Sequence, residues 1–256
     1  MFPNKYRWPS FLLHASACED YAAIIDEECK VRACTPNVSK FRDIEPEFSD
    51  DVREEIFCAQ VSKDGRSRGG NVAAFFTATF EAWKNYNGSG KERAYVGYSP
   101  VLVVDAAAVL EDLPAAHFLH IVRNPWSAYA HTKKRPVPLS LRHYMTGRAL
   151  NQCHALLVRE QFPDRMHILR IEDVISQPVG TLDAICEALA VSVPETLGWP
   201  IWNGQHLDEV YPWGTIRVPT REASVATARE LSPDERAAIK RRAGPCLDLL
   251  SYAEMT

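Results

Sequence analysis

The sequence predicts an α/β fold in which helices flank a central parallel sheet in three layers. Two short apolar segments, residues 116–122 and 166–171, have the composition of buried strands. A helix-like segment over residues 139–161 separates them. Parallel neighbours need such a long crossover, so strand, helix and strand in this order predict a parallel pair. The chain is long enough for one large core, and we expect a single domain over residues 1–256.

The elements before the first of these strands are predicted from caps, breakers and periodicity. Residues 1–45 are expected to be irregular because three prolines interrupt them. A helix is predicted to begin after Ser49, a favourable N-cap that acidic residues follow. Aromatic residues recur at helical spacing over residues 71–86, which predicts an amphipathic helix that packs into the core. A third strand is predicted over residues 94–97, ahead of a helix over residues 101–110.

A capped helix is predicted near the C-terminus. Ser232 is a favourable N-cap, Pro233 suits the first helical position, and Glu235 completes a capping box. The alternation of helices and strands therefore continues to the last part of the chain.

Composition and charge exclude several classes of function. With a formal net charge of −4, the chain lacks the dense cationic surface that drives nucleic-acid binding, so we expect no nucleic-acid partner. No apolar run reaches the roughly 18–20 residues of a membrane span. The N-terminus has no basic segment followed by an apolar one, so we expect no secretory signal and a cytoplasmic protein.

The seven cysteines are predicted to be reduced thiols, because their number is odd and the chain has no export signal. Cys18, Cys29 and Cys34 lack the spacing of zinc ligands, so we expect no zinc site among them. Three further cysteines lie in helix-like segments and are predicted to be small core residues. They are Cys153, Cys186 and Cys246.

The most informative segment comes directly after the strand over residues 116–122. It consists of Arg123, Asn124 and Pro125, and a helix is predicted to begin there. Ligands of open α/β sheets bind at the carboxyl ends of strands, where helix N-termini direct N–H groups at anions. An arginine at this point offers a permanently charged fork to a phosphate, although a surface salt bridge would explain it as well.

This segment resembles the 3′-phosphate-binding segment of the sulfotransferases that use 3′-phosphoadenosine 5′-phosphosulfate (PAPS). In that family, an arginine after the strand and a serine eight residues later bind the 3′-phosphate. Arg123 matches the arginine, His131 stands at the position of the serine, and Thr132 beside it offers a hydroxyl. The resemblance therefore implies that Arg123, His131 and Thr132 bind the donor nucleotide.

Two later segments resemble the same family. Residues 170–189 are similar to its sequence of a strand, a Glu-Asp pair, a proline and a helix, and the acidic pair is predicted to be structural. Residues 211–217 are similar to the late loop that closes over the 3′-phosphate. The resemblance implies that Trp213, Gly214 and Arg217 contact the donor there.

The family's N-terminal phosphosulfate-binding loop is not found in the sequence. Residues 1–13 are similar to the segment that comes after that loop and its helix, so the chain is expected to begin one strand–loop–helix unit late. Residues 65–71 form a basic, glycine-containing loop that either binds the phosphosulfate, lines an acceptor site or lies on the surface. Residues 87–92 contain Gly-Lys but lack the other residues of a phosphate-binding P-loop.

The resemblance implies in-line transfer of a sulfuryl group from PAPS to a hydroxyl or amine of a small-molecule or glycan acceptor, with no metal required. His14 is the candidate base, because it is the histidine of the corresponding early region. The alternative is a non-catalytic, sulfotransferase-like module that binds a nucleotide or a partner. A P-loop kinase is a weaker alternative because the Gly-Lys-Ser/Thr loop is missing. A homo-oligomer is compatible with the sequence.

Overall fold

The computed structural model describes most of the chain between Phe11 and Tyr252. It divides the chain into two compact units. Unit 1 comprises Met1–Ala115 and Ile201–Thr215, and unit 2 comprises Ala116–Pro200 and Ile216–Thr256. The expectation of a single domain stays a prediction. The described residues are 11, 13–34, 47, 49–88, 90, 92–97, 102–134, 138–193, 201–202, 205–206, 210–211, 214–215 and 226–252.

Helices make up most of the described part of unit 1. They are α1 (Ala17–Cys34), α2 (Asp50–Asp64), α3 (Arg68–Glu81), a 3₁₀ turn (Leu102–Asp105) and α4 (Ala106–Asp112). The helices predicted after Ser49, within 71–86 and within 101–110 are confirmed, with shifted ends. The expectation that residues 1–45 are irregular is wrong for residues 17–34, because α1 lies between the prolines in a stretch without proline or glycine. Residues 1–10 and 35–45 lie outside the described part of the chain.

Aromatic side chains form the core of unit 1. Phe57 of α2 and Phe75 of α3 are fully buried, and the ring of Tyr21 from α1 packs against both. Arg53 is also buried; its Nε donates to the Tyr21 hydroxyl at 3.0 Å, and its Nη2 donates to Asp50 at 2.8 Å. A core role is predicted for the aromatic residues within 71–86, and it is confirmed for Phe75.

The strand predicted over residues 94–97 is wrong, because this segment has no regular secondary structure. The Tyr95 ring stacks on Phe76 with a centroid distance of 3.6 Å and meets Phe80 edge-on. Val96 is 85% exposed, whereas a central strand would bury it. Tyr95 thus packs against the aromatic face of α3, which replaces the strand pairing that the sequence predicts.

Two short antiparallel hairpins complete the described part of unit 1. The strands β3 (Ile201–Trp202) and β4 (Gln205–His206) pair, as do β5 (Val210–Tyr211) and β6 (Gly214–Thr215). Residues 211, 214 and 215 of the predicted loop over residues 211–217 therefore belong to paired strands, and its other residues lie outside the described part of the chain.

Unit 2 contains the predicted strand–helix–strand arrangement. Strands β1 and β2 pair in parallel, with Phe118 opposite Met166 and Val122 opposite Arg170. The helix predicted over residues 139–161 is confirmed as α6 (Leu141–Gln161), with Ser140 as its N-cap. The elements are β1 (Phe118–Val122), α5 (Pro125–Lys133), α6, β2 (Met166–Arg170), α7 (Ile171–Ser176), α8 (Pro178–Ala188) and α9 (Pro233–Leu249).

Helix α9 closes the core of unit 2 against α5 and α6. Ile239 is fully buried, as is Tyr252, and both belong to one apolar cluster with Val122 and Trp126. The predicted capping box is present: Glu235 N–H donates to the Ser232 hydroxyl, and Ser232 N–H donates to the Glu235 carboxylate. Local caps and the buried stripe together fix this helix.

The core role predicted for three cysteines holds for only one of them. Cys186 of α8 is buried, as predicted. Cys153 of α6 is exposed, so its prediction is wrong, and Cys246 of α9 is partly buried. A helical position alone does not tell which face of a helix a small residue occupies when both faces carry apolar residues. In the described part of the chain, no helix is long and apolar enough to cross a membrane.

Candidate functional site

The candidate site lies where the two parallel strands of unit 2 end. Val122 is paired with Arg170, so both strands finish at the same edge of the sheet. Arg123 and Asn124 follow β1 directly, and α5 begins at Pro125. Glu172 and Asp173 lie in the first turn of α7, immediately after β2. The arginine and the acidic pair that the sequence singles out are therefore brought to one edge.

The backbone N–H groups at the start of α5 are already bonded. The Asn124 side-chain oxygen accepts from Trp126 N at 3.0 Å and from Ser127 N at 3.1 Å. Pro125 has no N–H group, and Ala128 N donates to the Asn124 carbonyl. The expectation that this helix terminus directs N–H groups at an anion is wrong, because the N-cap residue uses them. An anion at this edge depends on side chains.

The main chain of Arg123 is held by a hydrogen bond, and its guanidinium forms no ion pair within the described part of the chain. Its carbonyl oxygen accepts a hydrogen bond of 2.6 Å from Nη2 of Arg148, which lies on α6. Among the described residues, the Arg123 side chain has no carboxylate partner. Arg170 differs, because Asp173 accepts from its Nε at 2.7 Å and from its Nη2 at 2.5 Å. Unlike Arg170, Arg123 thus has no described carboxylate that compensates its positive charge.

His131 lies near Arg123, on the opposite end of α5. Burial lowers the pKa of His131 below its usual 6.5, and the charges of Arg123 and Lys134 lower it further, against an opposing effect of Glu230. The ring is exposed to solvent. Burial and the two positive charges all disfavour the imidazolium form, and a bound phosphate beside the ring would favour it.

Thr132 is in a different environment from His131. Its side chain is buried, and its hydroxyl donates to the Ala128 carbonyl at 3.0 Å. The hydroxyl would have to leave this bond to donate to a phosphate. The next two lysines along the chain are also engaged: Lys133 pairs with Glu235 at 2.7 Å, and Lys134 pairs with Glu230 at 2.6 Å.

Glu172, which follows the second strand in the first turn of α7, holds the end of the first strand in place. It is buried; one oxygen accepts from Asn124 N at 2.7 Å, and the other accepts from the Tyr252 hydroxyl at 2.7 Å. With both oxygens occupied, Glu172 connects the end of β1 to the C-terminal Tyr252. This agrees with the structural role that the sequence predicts for Glu172 and Asp173.

The basic loop over residues 65–71 is bonded within unit 1. Nε of Arg66 donates to the buried Asp20 carboxylate at 3.0 Å, and its Nη2 donates to the His14 carbonyl at 2.6 Å. Ser67 caps α3 by accepting from Gly70 N. The segment before the loop is helix α2 and not the strand that a phosphate-binding loop needs. The loop therefore connects helices and leaves Arg66 without a free guanidinium.

His14, the candidate base, lies in unit 1. Its side chain is exposed, and its main-chain N–H donates to Asp20 at 2.5 Å. The contacts here hold the backbone and leave the imidazole in solvent. Its catalytic role stays a prediction.

The other candidate donor contacts are Trp213, Gly214 and Arg217. Gly214 begins β6. Trp213 and Arg217 lie outside the described residues. The binding roles of Arg123, His131, Thr132 and these residues stay predictions.

Sequence reasoning missed Arg148. The signal was present in the period of α6, because Arg148 lies three residues after the buried Met145 and four before the buried Gln152. Residues at this spacing share one helix face, so Arg148 faces the interior of unit 2. A charged side chain on a buried helix face needs a hydrogen-bond acceptor, which here is the Arg123 carbonyl.

The chain is similar to known sulfotransferases. The family model described as "Sulfotransferase family" matches residues 36–195, which is more than half of the chain. Among solved structures, a "Sulfotransferase Domain from the Curacin Biosynthetic Pathway" is similar, with 16% identity, a TM-score of 0.43 and 83% of each chain covered. No curated protein sequence matches the chain significantly.

Proposed function

Because the chain belongs to the sulfotransferase family, we propose that it transfers a sulfuryl group from PAPS to a hydroxyl or amine of a small-molecule or glycan acceptor. The observation that carries the proposal is the placement of Arg123. It directly follows a strand of the parallel sheet, its carbonyl is fixed by Arg148, and among the described residues its guanidinium has no carboxylate partner. Such a group is suited to bind a phosphate.

In the proposed reaction, Arg123 binds and orients the 3′-phosphate of the donor. His131 supplies a second donor to the same phosphate, and Thr132 supplies a third once its hydroxyl leaves Ala128. The resemblance also assigns Arg217, Trp213 and Gly214 to donor binding. A base removes the acceptor proton as the sulfuryl group moves in line to the acceptor oxygen or nitrogen, and His14 is the proposed base. The other product is 3′-phosphoadenosine 5′-phosphate (PAP).

The experiment is calorimetric titration of PAP into the full chain. Loss of a charge-assisted hydrogen bond costs about 1.5–3 kcal/mol, so we expect Arg123→Ala to weaken PAP binding roughly 10- to 100-fold. Arg159→Ala is the matched control, because Arg159 is an exposed arginine in the last turn of α6, and its loss should leave the affinity unchanged. Equal affinity in Arg123→Ala and the unmodified chain, or no binding by the folded chain, would contradict the proposal.

A second candidate function is a sulfotransferase-like module that binds the nucleotide without transferring sulfate. The observation that favours it is the loop over residues 65–71, whose Arg66 is bonded to Asp20 and to main-chain carbonyls. Transfer assays with ³⁵S-labelled PAPS against phenolic, amine and glycan acceptors distinguish the two. Labelled product that disappears in Arg123→Ala supports the enzyme, whereas PAP binding without any labelled product supports the module.

A further inference from the structure

Two cysteines and a glutamate from α1 and α2 meet in unit 1 and take no part in the proposed sulfuryl transfer. Cys18 lies in the first turn of α1, and Cys58 lies in the middle of α2. Their sulfur atoms are 3.7 Å apart. Glu54 precedes Cys58 by four residues, so its carboxylate lies on the same face of α2. Ligand atoms of all three side chains lie within 4.8 Å of one another.

The distances fit a shared metal ion. Thiolates bind Zn²⁺ at about 2.3 Å, and two of them at a tetrahedral angle have sulfur atoms about 3.8 Å apart. The observed separation of 3.7 Å matches this value without movement of either helix. A disulfide would need the sulfur atoms to approach to about 2.05 Å. The pair is thus already spaced for a bridging cation and is not yet spaced for a covalent bond.

The charges of the three side chains also favour a bound cation. Two thiolates and a carboxylate at these distances repel one another. A divalent cation would remove that repulsion and displace the thiol protons.

We infer that Cys18, Cys58 and Glu54 form a binding site for a thiophilic divalent cation such as Zn²⁺. Two thiolates and one carboxylate oxygen supply three ligands, and because Cys18 is exposed, water supplies the fourth. Binding releases two thiol protons to solvent and leaves the site with a net charge of −1. The ion connects α1 to α2, so its role is to stabilise the packing of these two helices.

The site differs from the zinc site that the sequence excludes. Cys18 and Cys29 lie eleven residues apart in the single helix α1, which is about 16 Å along its axis, too far to share an ion. The partner of Cys18 comes instead from α2, forty residues later in the chain. Spacing rules for zinc ligands do not detect a pair of this kind.

The test is a titration of the reduced full chain with Co²⁺, a spectroscopic substitute for Zn²⁺. We expect a thiolate-to-cobalt charge-transfer band that saturates at one ion per chain and is displaced by Zn²⁺. Cys18→Ser and Cys58→Ser should abolish the band. Glu54→Gln should keep it but weaken Zn²⁺ binding at least about tenfold. Zn²⁺ should also raise the melting temperature of the unmodified chain and not that of Cys18→Ser.

Cys153→Ser is the matched control, because Cys153 is an exposed cysteine in unit 2 and its loss should leave the band unchanged. Cys18 is exposed, so Cys18→Ser tests the site even where Cys58→Ser disturbs folding. The inference is overturned if the reduced chain gives no thiolate band, or if the band persists in Cys18→Ser. It is equally overturned if mass spectrometry finds a Cys18–Cys58 disulfide and the reduced chain binds no Co²⁺. None of these outcomes bears on PAP binding by Arg123.

Discussion

Nη2 of Arg148 donates a hydrogen bond of 2.6 Å to the main-chain carbonyl of Arg123. The contact joins α6 to the short segment between β1 and α5, and its two residues are 25 positions apart in the sequence. This hydrogen bond holds the backbone of Arg123, the residue on which the proposed function depends. The side chain of Arg123 is left to bind the ligand. Arg148 is therefore a positioning residue for Arg123 in the proposed site.

We expect Arg148→Ala to weaken PAP binding about 3- to 10-fold, because a neutral carbonyl loses one charged donor and Arg123 gains freedom. The loss should be smaller than that of Arg123→Ala. A double-mutant cycle measured by calorimetry identifies the positioning role, since Arg148→Ala should have little further effect in the Arg123→Ala background. Fully additive losses would show that Arg148 acts independently of Arg123, which would contradict this interpretation.

Relative to His131→Ser, PAP binding by the unmodified chain should strengthen as the pH falls from the pKa of His131 in the complex toward its lower pKa in the free protein. The pKa of His131 is lowered in the free protein by burial, Arg123 and Lys134, so the ring is neutral at pH 7. A bound phosphate favours the imidazolium, which raises the pKa in the complex above its value in the free protein. His131 therefore takes up a proton on binding, and this contribution raises the affinity with falling pH by at most tenfold per pH unit.

Calorimetry between pH 5.5 and 8 in buffers of different ionisation enthalpy measures this proton uptake. In His131→Ser, which introduces the residue that the resemblance places here, the uptake should disappear while binding at pH 8 remains. His143→Ser is the control, because His143 is an exposed histidine at the start of α6. Uptake that persists in His131→Ser would assign the proton to another group.

Tyr252→Phe should destabilise the folded chain by about 1–3 kcal/mol, because it leaves one oxygen of the buried Glu172 without its donor. Urea unfolding monitored by circular dichroism measures the free energy. Tyr144→Phe is the control, since the half-buried Tyr144 ring packs on Tyr129 in the same unit. If the two variants lose equal stability, the cost belongs to the hydroxyl group in general and not to the brace at Glu172.

The parts of the fold that could be predicted are those fixed by residues close together in sequence. The capping box of Ser232 and Glu235 spans three positions, and the strand residues that end at Val122 and Arg170 carry their own apolar pattern. The same local rules failed for residues 94–97. Tyr95 is as favourable in a strand as it is against Phe76, and only the position of α3 decides between them.

The candidate site divides in the same way. Arg123 was found because strand end and helix start are adjacent in sequence, whereas Arg148 reaches it from another helix. The capping of α5 by Asn124 could have been predicted, since asparagine before proline is a favourable N-cap. Partnerships between distant residues, such as Arg66 with Asp20, have no signal in a single sequence.

The ion pair of Arg66 with Asp20 gives the last prediction. Asp20 is almost fully buried and also accepts from Asn71 at 2.9 Å and from His14 N at 2.5 Å. Removing Arg66 deprives this buried carboxylate of its charged donor. Since the Arg66 side chain is 31% exposed, we expect Arg66→Ala to cost about 2–3 kcal/mol, less than a fully buried pair.

Arg68→Ala is the control, because the pair of Arg68 with Asp112 is solvent-exposed on both sides and is expected to contribute at most about 1 kcal/mol. Urea unfolding measures both variants, and calorimetry with PAP is repeated below the unfolding transition. If the loop over residues 65–71 serves only the fold, Arg66→Ala lowers stability while the folded fraction binds PAP with unchanged affinity. If the loop instead binds the donor, Arg66→Ala removes a group that contacts the ligand. The result would then be the opposite: little change in stability, and a loss of affinity comparable to that of Arg123→Ala.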